Sequence, residues 1–243
     1  DVEKRDDGTT ILRCPEPLGP VPQSLIALLR ERAAAHPDRD FLRERDDTGA
    51  WRRVTYADVL NGANAVARTL LNGGYGQDRP LAILSDNSIN QAIVMFGAMT
   101  VGMPAMPVSP AYSLMSQDHE KLNMVIGHND PAVIFVDNPA PFAKALAAID
   151  MSGRRLVVGR ADGAPDGAEL LSDWLDAPPG PEVDAAAAAI GPDTIGKILL
   201  TSGSTGLPKG VLNSHLMMTS NQVSIAQVCT FLREDPPVFL DWL

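Results

Sequence analysis

The chain has 243 residues, of which 45% are hydrophobic, and it carries 20 Lys and Arg against 30 Asp and Glu. This size and composition are typical of a globular protein with a substantial core. The formal net charge of −10 disfavours non-specific binding to nucleic acids or acidic membranes, because like charges repel. The two cysteines, Cys14 and Cys229, lie far apart, which argues against a disulfide scaffold and favours a cytoplasmic location.

No stretch of the sequence predicts a signal peptide or a membrane span. Residues 1–7 are mostly charged, and the longest apolar run, residues 92–103, is too short to cross a bilayer. The four histidines are scattered without zinc-ligand spacing, so no metal site is predicted from them. The sequence assigns no oligomeric state.

The chain begins with a segment that is expected to lie extended over a surface, because residues 1–23 are rich in proline. Ser24 is then a predicted N-cap for a helix that runs to about Ala35. Two short runs, 41–45 and 51–54, flank an Asp- and Gly-containing turn and predict a β-hairpin.

A second helix is predicted to begin at a capping box, in which Asp58 stands three residues after Thr55. Glycines at Gly73, Gly74 and Gly76 follow that helix. They could be taken for a dinucleotide-binding fingerprint, but such a fingerprint follows a strand. The favoured interpretation is therefore a simple helix end.

From residue 80 onward, apolar strands alternate with helices. The predicted strands are Pro80–Leu84, Pro104–Val108, Ala132–Val136 and Arg155–Val158, and the helices run from 87 or 88 to about 101, from 117 to about 127 and from 141 to 149. Continuous apolar strands separated by helices are typical of a parallel sheet that is covered on both faces. The sequence therefore predicts a layered α/β/α fold with a mostly parallel sheet.

The composition changes between residues 161 and 189, where Gly, Ala, Asp and Pro are typical of a loop or linker. The alanine run at 185–189 is either a short helix or a spacer. A subdomain boundary is predicted near residue 190. The chain would then comprise an extended segment over 1–23, a first α/β subdomain over 24–190, and the start of a second subdomain over 191–243.

After this boundary, a predicted apolar strand from Ile195 to Thr201 enters a loop rich in Gly, Ser and Thr that ends at Lys209. The glycines allow positive φ angles and close approach of the backbone to a ligand. Hydroxyl groups and backbone N–H groups can donate hydrogen bonds to an anion, and Lys209 adds a compact positive charge. These properties suit a loop that wraps a polyphosphate, although a Ser- and Gly-rich surface loop is the alternative.

The loop differs from a Walker A motif, in which the lysine directly follows a glycine and precedes Ser or Thr. Here Lys209 follows Pro208 and precedes Gly210. Beyond the loop the sequence predicts a strand or turn and then an amphipathic helix from Leu216 to about Val228. His215, at the start of that helix, could position the loop or the substrate, or could instead cap or pack the helix.

The last eight residues, Pro236 to Leu243, predict another buried strand. A strand with no polar residues after it indicates that the chain is a piece of a longer protein.

The ordered motif T-S-G-S-T-G-x-P-K-G over residues 201–210 resembles the phosphate loop of the adenylate-forming superfamily, which includes acyl- and aryl-CoA synthetases, luciferases and the adenylation domains of peptide synthetases. The resemblance extends over essentially the whole chain, which would then be the N-terminal part of the large domain of such an enzyme. By this resemblance, the residues that bind the ATP phosphates are Thr201, Ser202, Gly203, Ser204, Thr205, Gly206 and Lys209. Lys209 and Thr205 would act in catalysis.

The resemblance implies an ATP-dependent ligase that joins a carboxylic acid to coenzyme A through an acyl-adenylate, with Mg²⁺ bound to ATP. Family members are considerably longer than this chain. Their motifs for the metal, the ribose and a catalytic lysine lie downstream, so residues 1–243 alone are expected to be inactive. The segments 107–113 and 241–243 resemble feruloyl-CoA synthases most, which implies an aromatic or hydroxycinnamic acid such as ferulate as the substrate.

Two other functions stay open from the sequence. The chain could be a truncated, non-catalytic α/β binding module that keeps the fold without the chemistry. It could also belong to an adenylation domain of a peptide synthetase, which would require a carrier domain downstream.

Overall fold

The computed structural model describes residues 1–178, 180–202, 208–234 and 236–240, and of Ser202 it describes the backbone alone. The strands are β1 (Val2–Lys4), β2 (Thr10–Leu12), β3 (Asp40–Arg45), β4 (Trp51–Thr55), β5 (Leu81–Ile83), β6 (Ala105–Pro107), β7 (Val133–Val136), β8 (Arg155–Val158), β9 (Glu169–Leu170), β10 (Ile195–Ser202) and β11 (Pro208–Ser214). The helices are α1 (Leu25–Ala35), α2 (Tyr56–Asn72), α3 (Ile89–Thr100), α4 (Pro110–Leu114), α5 (Glu120–Asn129), α6 (Pro139–Ala148), α7 (Leu171–Leu175), α8 (Pro181–Ala189), α9 (His215–Val228) and α10 (Phe231–Glu234).

Within the described ranges, the centre of the protein is a seven-stranded sheet with the order β11-β10-β6-β5-β7-β8-β9. Neighbouring strands are parallel except for β10 and β11, which form an antiparallel hairpin at one edge. The predicted α/β fold with a mostly parallel sheet is therefore confirmed.

The buried apolar side chains of the described residues form two clusters, one on each face of the sheet. Successive side chains of a strand point to opposite faces, so Leu81 and Ile83 of β5 join one cluster and Ala82 joins the other. Residues of α1, α2, α3, α7 and α8 cover the first face, and residues of α5 and α6 cover the second. Because both faces are covered, β5 and β7 are buried along their whole length, as their continuous apolar sequences predict.

Three of the predicted helix starts are confirmed by their capping hydrogen bonds. The side chains of Ser24 and Ser88 each accept a backbone N–H at 3.0 Å, from Ala27 and Gln91. At the start of α2, the Thr55 side chain accepts the Asp58 N–H, and the Asp58 carboxylate accepts the Thr55 N–H. These bonds satisfy donors that a helix leaves without partners at its first turn.

The end of α2 also agrees with the sequence. Gly73 caps the helix, and Gly74 has a φ of +72°, which glycine adopts without strain. The glycines at this position therefore end a helix, and the dinucleotide-fingerprint alternative is wrong for this chain.

Helices α2 and α3 cross at close range because α3 carries Gly97 at the contact. A Cβ at Gly97 would lie 2.5 Å from Val66 Cγ1 and 3.0 Å from the Ala63 carbonyl oxygen. We therefore expect Gly97→Ala to lower the free energy of unfolding of the intact protein by about 2 kcal/mol, since a packed core resists extra volume. Urea denaturation would measure the change.

The matched control is Gly127→Ala in α5, where an added Cβ would meet nothing within 4 Å. That change should raise the free energy of unfolding by about 0.5–1 kcal/mol, because alanine favours the helix over glycine. A destabilisation by Gly97→Ala no larger than the effect of the control would contradict the close crossing of α2 and α3.

The loop or linker interpretation of residues 161–189 is wrong for much of that segment. Residues 169–170 add β9 to the sheet, and α7 and α8 bury Leu171, Trp174 and Val183 in the core. The alanine-rich stretch is helical, which confirms one of its two predicted alternatives. The few apolar residues of this segment pack on the core although its average composition is that of a loop.

A long-range cluster fixes this segment to β8. The Arg155 guanidinium pairs with both oxygens of Glu169, with Nε 2.7 Å from Oε1. It also lies over the rings of Tyr75 and Trp174, at 5.6 and 4.8 Å from their centres. The hydrogen bonds from Arg155 hold the pKa of the Glu169 carboxyl below its usual value.

Several short elements were not predicted, among them α10 at Phe231–Glu234. Residues 1–23 do lie largely exposed, but β1 and β2 pair within them as a small antiparallel hairpin. Helix α4 follows β6, with Pro110 at its first turn.

Among the described residues, no helix combines the length and the hydropathy needed to cross a bilayer.

The predicted boundary at residue 190 stays a prediction. Beyond it, β10 continues the sheet of the first part, because its Lys197 lies in parallel register with Ala105 of β6.

Candidate functional site

The predicted phosphate loop is held by the β10–β11 hairpin. An apolar run in β10 places Ile198 in the core, and the antiparallel register pairs Leu199 with Val211, Thr201 with Lys209 and, at the tip, Ser202 with Pro208. The predicted strand before the loop is confirmed, and the strand-or-turn prediction after Gly210 is resolved as a strand. The hairpin therefore fixes both ends of the loop relative to each other.

The hairpin carries its tip to the carboxyl edge of the parallel sheet. Strand β10 runs parallel to β6, so the two strands end at the same edge. Crevices outside the carboxyl ends of the strands are where open α/β sheets bind ligands. The segment after β6, which includes Pro110 and Tyr112, follows the neighbouring strand at that edge.

Two of the predicted phosphate-binding residues are described with their side chains. Thr201 and Lys209 lie opposite each other and are exposed, and the Thr201 hydroxyl donates a 3.4 Å hydrogen bond to the Lys209 carbonyl oxygen. The Lys209 ammonium makes no ion pair with any residue that the structure describes. A hydroxyl and a positive charge therefore stand together at the end of the hairpin, accessible to solvent.

The other predicted loop residues belong to the part of the chain that the structure does not describe. Gly203, Ser204, Thr205 and Gly206 lie outside the described residues, as does the side chain of Ser202. Their roles stay predictions from the sequence.

His215 does not lie beside the loop end of the hairpin. Its side chain is fully buried at the start of α9, and its Nδ1 accepts the backbone N–H of Leu25 at 3.2 Å. Burial lowers the pKa of this imidazole to about 4, so it is neutral at physiological pH. Ser214 is the N-cap of α9 and pairs with Ile195, at the opposite end of β10 from Thr201. This is the packing role that the sequence left open, and a contact of His215 with substrate stays a prediction.

Lys197 is a basic residue that the sequence analysis did not single out. It lies on β10 and shares a face of the hairpin with Leu199 and Thr201, because alternate strand residues point the same way. Burial lowers the pKa of its ammonium group. In the sequence, Lys197 is recognisable only as a lone charged residue inside an otherwise apolar strand.

Two expectations for the end of the chain are wrong. Helix α9 exists, but it is not amphipathic in its packing, because Leu216, Met217 and Ile225 are exposed. Residues 236–240 do not form a buried strand. Val238, Phe239 and Leu240 are 91%, 78% and 75% exposed, and residues 241–243 lie outside the described part of the chain.

A depression of about 450 Å³ lies at the other edge of the sheet. It is bounded by residues that precede β5, β6 and β10, among them Asp78, Pro104 and Asp193. These residues stand at the amino ends of the strands, opposite the loop, so this depression is separate from the predicted phosphate site.

No group of three or more His, Cys, Asp or Glu side chains among the described residues could hold a metal ion. The predicted Mg²⁺ therefore has no assigned ligands in this part of the protein.

Comparisons with known proteins agree with the motif and the fold. A model of the family described as AMP-binding enzyme matches residues 29–241. Sulfoacetate–CoA ligase of Cupriavidus necator is 26% identical over 211 residues, which are 84% of this chain and 37% of that protein. Phosphinothricin tripeptide synthetase PhsC of Streptomyces viridochromogenes is 25% identical over 199 residues, 79% of this chain and 16% of that protein.

A solved structure has the same fold. The fatty acyl-adenylate ligase from L. pneumophila, in complex with acyl adenylate and pyrophosphate, matches with a TM-score of 0.63 and 21% identity over 85% of this chain and 33% of that chain. The chain thus spans much less than two thirds of each of these proteins. The family model, by contrast, covers most of the chain and includes the whole hairpin and its loop. The chain belongs to the AMP-binding enzyme family, the family of adenylate-forming ligases.

Proposed function

We propose that the intact protein is an AMP-forming carboxylate–CoA ligase and that this chain supplies its phosphate loop. One observation supports this above all: the T-S-G-S-T-G-x-P-K-G sequence connects two paired strands at the carboxyl edge of the sheet, where Thr201 and Lys209 face each other. A solvent-accessible cation and hydroxyls at this edge suit the terminal phosphates of ATP.

The proposed roles follow from the chemistry of each side chain. The hydroxyls of Thr201, Ser202, Ser204 and Thr205 donate hydrogen bonds to the β- and γ-phosphates, and Gly203 and Gly206 allow backbone N–H groups to approach them. The Lys209 ammonium neutralises the charge that grows on the leaving pyrophosphate. Lys209 and Thr205 are therefore the proposed catalytic residues of this chain.

The reaction has two balanced steps. A carboxylate oxygen of the substrate attacks the α-phosphorus of ATP, and the bond to pyrophosphate breaks, which gives an acyl-adenylate. The sulfur of coenzyme A then attacks the acyl carbon, AMP leaves, and the thiol proton is released. In the first step this chain contributes positioning and charge stabilisation.

We further propose an aromatic or hydroxycinnamic acid, such as ferulate, as the substrate. The support is the sequence resemblance of residues 107–113 and 241–243 to feruloyl-CoA synthases. Residue 107 ends β6, the neighbour of β10, and residues 108–113 follow it on the same edge of the sheet as the loop. Mg²⁺ is proposed as the ion bound with ATP, held by residues outside this chain, and the cytoplasm as the location.

The test is ATP–pyrophosphate exchange by the intact protein. Exchange should depend on an added carboxylic acid, and ferulate or a related aryl acid should support it best in a panel of aryl, cinnamic and fatty acids. Residues 1–243 alone should show no thioester formation. Exchange with none of the acids would overturn the ligase, and thioester formation by the isolated chain would overturn the assignment of essential groups to the rest of the protein.

A second function is that of an adenylation domain in a peptide synthetase. The similarity to phosphinothricin tripeptide synthetase PhsC, at nearly the same identity as to sulfoacetate–CoA ligase, supports it. The two functions differ in the thiol that accepts the acyl group. Release of AMP that requires free coenzyme A supports the CoA ligase, and acylation of a carrier domain on the same polypeptide supports the synthetase.

A further inference from the structure

The two side chains that helix α9 buries fully are both polar. His215 and Thr219 of this helix are buried, whereas Leu216, Met217 and Ile225 are exposed. Burial of apolar side chains is the usual source of helix docking, and several apolar side chains of α9 are exposed, so hydrogen bonds contribute to its position.

At the start of α9, the His215 and Leu216 N–H groups donate to the carbonyl oxygens of Thr194 and Pro192. Further hydrogen bonds come from the N-terminal segment. We call residues 17–25 the strap, because this segment contacts both ends of α9. Near the end of the helix, the Gln227 amide accepts the Gly19 N–H at 3.2 Å and donates to the Pro17 carbonyl oxygen at 3.1 Å. At its start, His215 Nδ1 accepts the Leu25 N–H. The contact partners are about 190 to 210 residues apart in the chain.

The strap is itself fixed by two contacts. The Ser24 side chain caps α1, and Gln23 donates a 2.8 Å hydrogen bond to the carbonyl oxygen of Ile190, before β10. The strap therefore connects α1 of the first helical layer with the segments that begin β10 and end α9.

The hairpin depends on α9 because the two are directly joined. Strand β11 ends at Ser214 and α9 begins at His215, with no residue between them. On its other side, β10 is registered to β6 through the pair Lys197 and Ala105, within the part of the chain that the structure describes. Ile198 of β10 is also buried in the core, so the hairpin is held on one side by β6 and the core and on the other side by its junction with α9.

We propose that Gln227 is a positioning residue, which fastens α9 to the strap and thereby holds the β10–β11 hairpin in the place where its loop meets ATP. The expected effect of Gln227 on ATP binding rests on the proposed function. Its expected effect on the position of the hairpin does not. Gln227 suits the task because a primary amide both accepts and donates, and both functions are used on the strap backbone.

The first experiment measures hydrogen exchange of the intact protein without nucleotide. In Gln227→Ala, amides of β10 and β11 should exchange about tenfold faster, because two hydrogen bonds that hold α9 are lost. The matched control is Gln222→Ala, at an exposed position of the same helix, which makes the same chemical change and should leave exchange in the hairpin unaltered. Equal exchange in the hairpin for wild type and Gln227→Ala would overturn the proposal.

A second variant tests whether Gln227 acts through the strap. Gly19→Pro removes the N–H that Gln227 accepts, and it should speed exchange in the hairpin in the same way. When Gly19→Pro is already present, Gln227→Ala should add less than its separate effect, because the two residues share one contact. Fully additive effects would contradict a joint action of the two residues.

The third readout is catalytic. In ATP–pyrophosphate exchange, Gln227→Ala should raise the KM for ATP about fivefold and change kcat less than about twofold, because the chemical groups stay in place. A loss of kcat with unchanged KM would contradict positioning. If the hairpin exchanges faster in Gln227→Ala but the wild type shows no acid-dependent activity, the proposed function fails while the mechanical role of Gln227 stands.

Discussion

Replacement of Lys209 by methionine in the intact protein is expected to lower the rate of acyl-adenylate formation about 10- to 100-fold. Methionine keeps an unbranched, flexible side chain but removes the charge. A charge-assisted hydrogen bond typically contributes about 1.5–3 kcal/mol, which corresponds to this range of rates. Since Lys209 is exposed and makes no ion pair with a described residue, the fold should be little affected.

The measurement is the rate of ATP–pyrophosphate exchange at saturating acid, together with the midpoint of thermal unfolding. Lys144→Met is the matched control, because Lys144 is an exposed lysine on α6 with no part in the proposed site. The control should retain its activity. A rate for Lys209→Met within about twofold of the wild type would show that the loop does not use this charge.

The fold could be predicted where local sequence and tertiary environment agree. The strands β5, β7 and β8 are short, apolar and flanked by turn residues, so their burial follows from their own sequences. The caps at Ser24, Thr55 and Ser88 are equally local, because each side chain bonds to a backbone group three residues away.

Prediction failed where distant residues decide the structure. Glu169 and Trp174 lie in a segment with the composition of a linker. Both contact the side chain of Arg155 on β8, Glu169 by a hydrogen bond and Trp174 through its ring. Conversely, residues 236–240 are apolar enough for a buried strand, but no described strand pairs with them. An apolar sequence indicates that a segment tends to be buried against another surface. It does not indicate which part of the protein that surface belongs to.

The candidate site was likewise predicted from the sequence only in part. The sequence alone predicted the loop, since ordered residue types carry its chemistry. The sequence did not predict that Gln227 bonds to Pro17 and Gly19, or that His215 accepts the N–H of Leu25. None of the three partners, Pro17, Gly19 and Leu25, could be recognised by its residue type, because each contributes only a backbone group.

The buried imidazole of His215 leads to the second large effect, which is on stability in acid. The pKa of His215 is about 4 in the folded protein and near 6.5 in an unfolded chain. Between these values the unfolded state binds a proton that the folded state excludes. The free energy of unfolding should therefore be unaffected by His215 above about pH 6.5 and should fall by up to about 3 kcal/mol as the pH decreases to 4. Protonation also removes the acceptor for the Leu25 N–H, which ties α9 to α1.

His215→Asn separates this effect from the titration of carboxylates, because the amide oxygen can replace Nδ1 as an acceptor but does not titrate. We expect urea unfolding of the intact variant to show a smaller loss of stability between about pH 7 and pH 4.5, by about 2.5 kcal/mol relative to wild type. The matched control is His36→Asn, since His36 has an exposed side chain at the end of α1. The control should show the pH dependence of the wild type. An equal loss in His215→Asn and wild type would mean that His215 is protonated in the folded protein as readily as in the unfolded one, and a buried neutral imidazole at the junction of α1 and α9 would then be wrong.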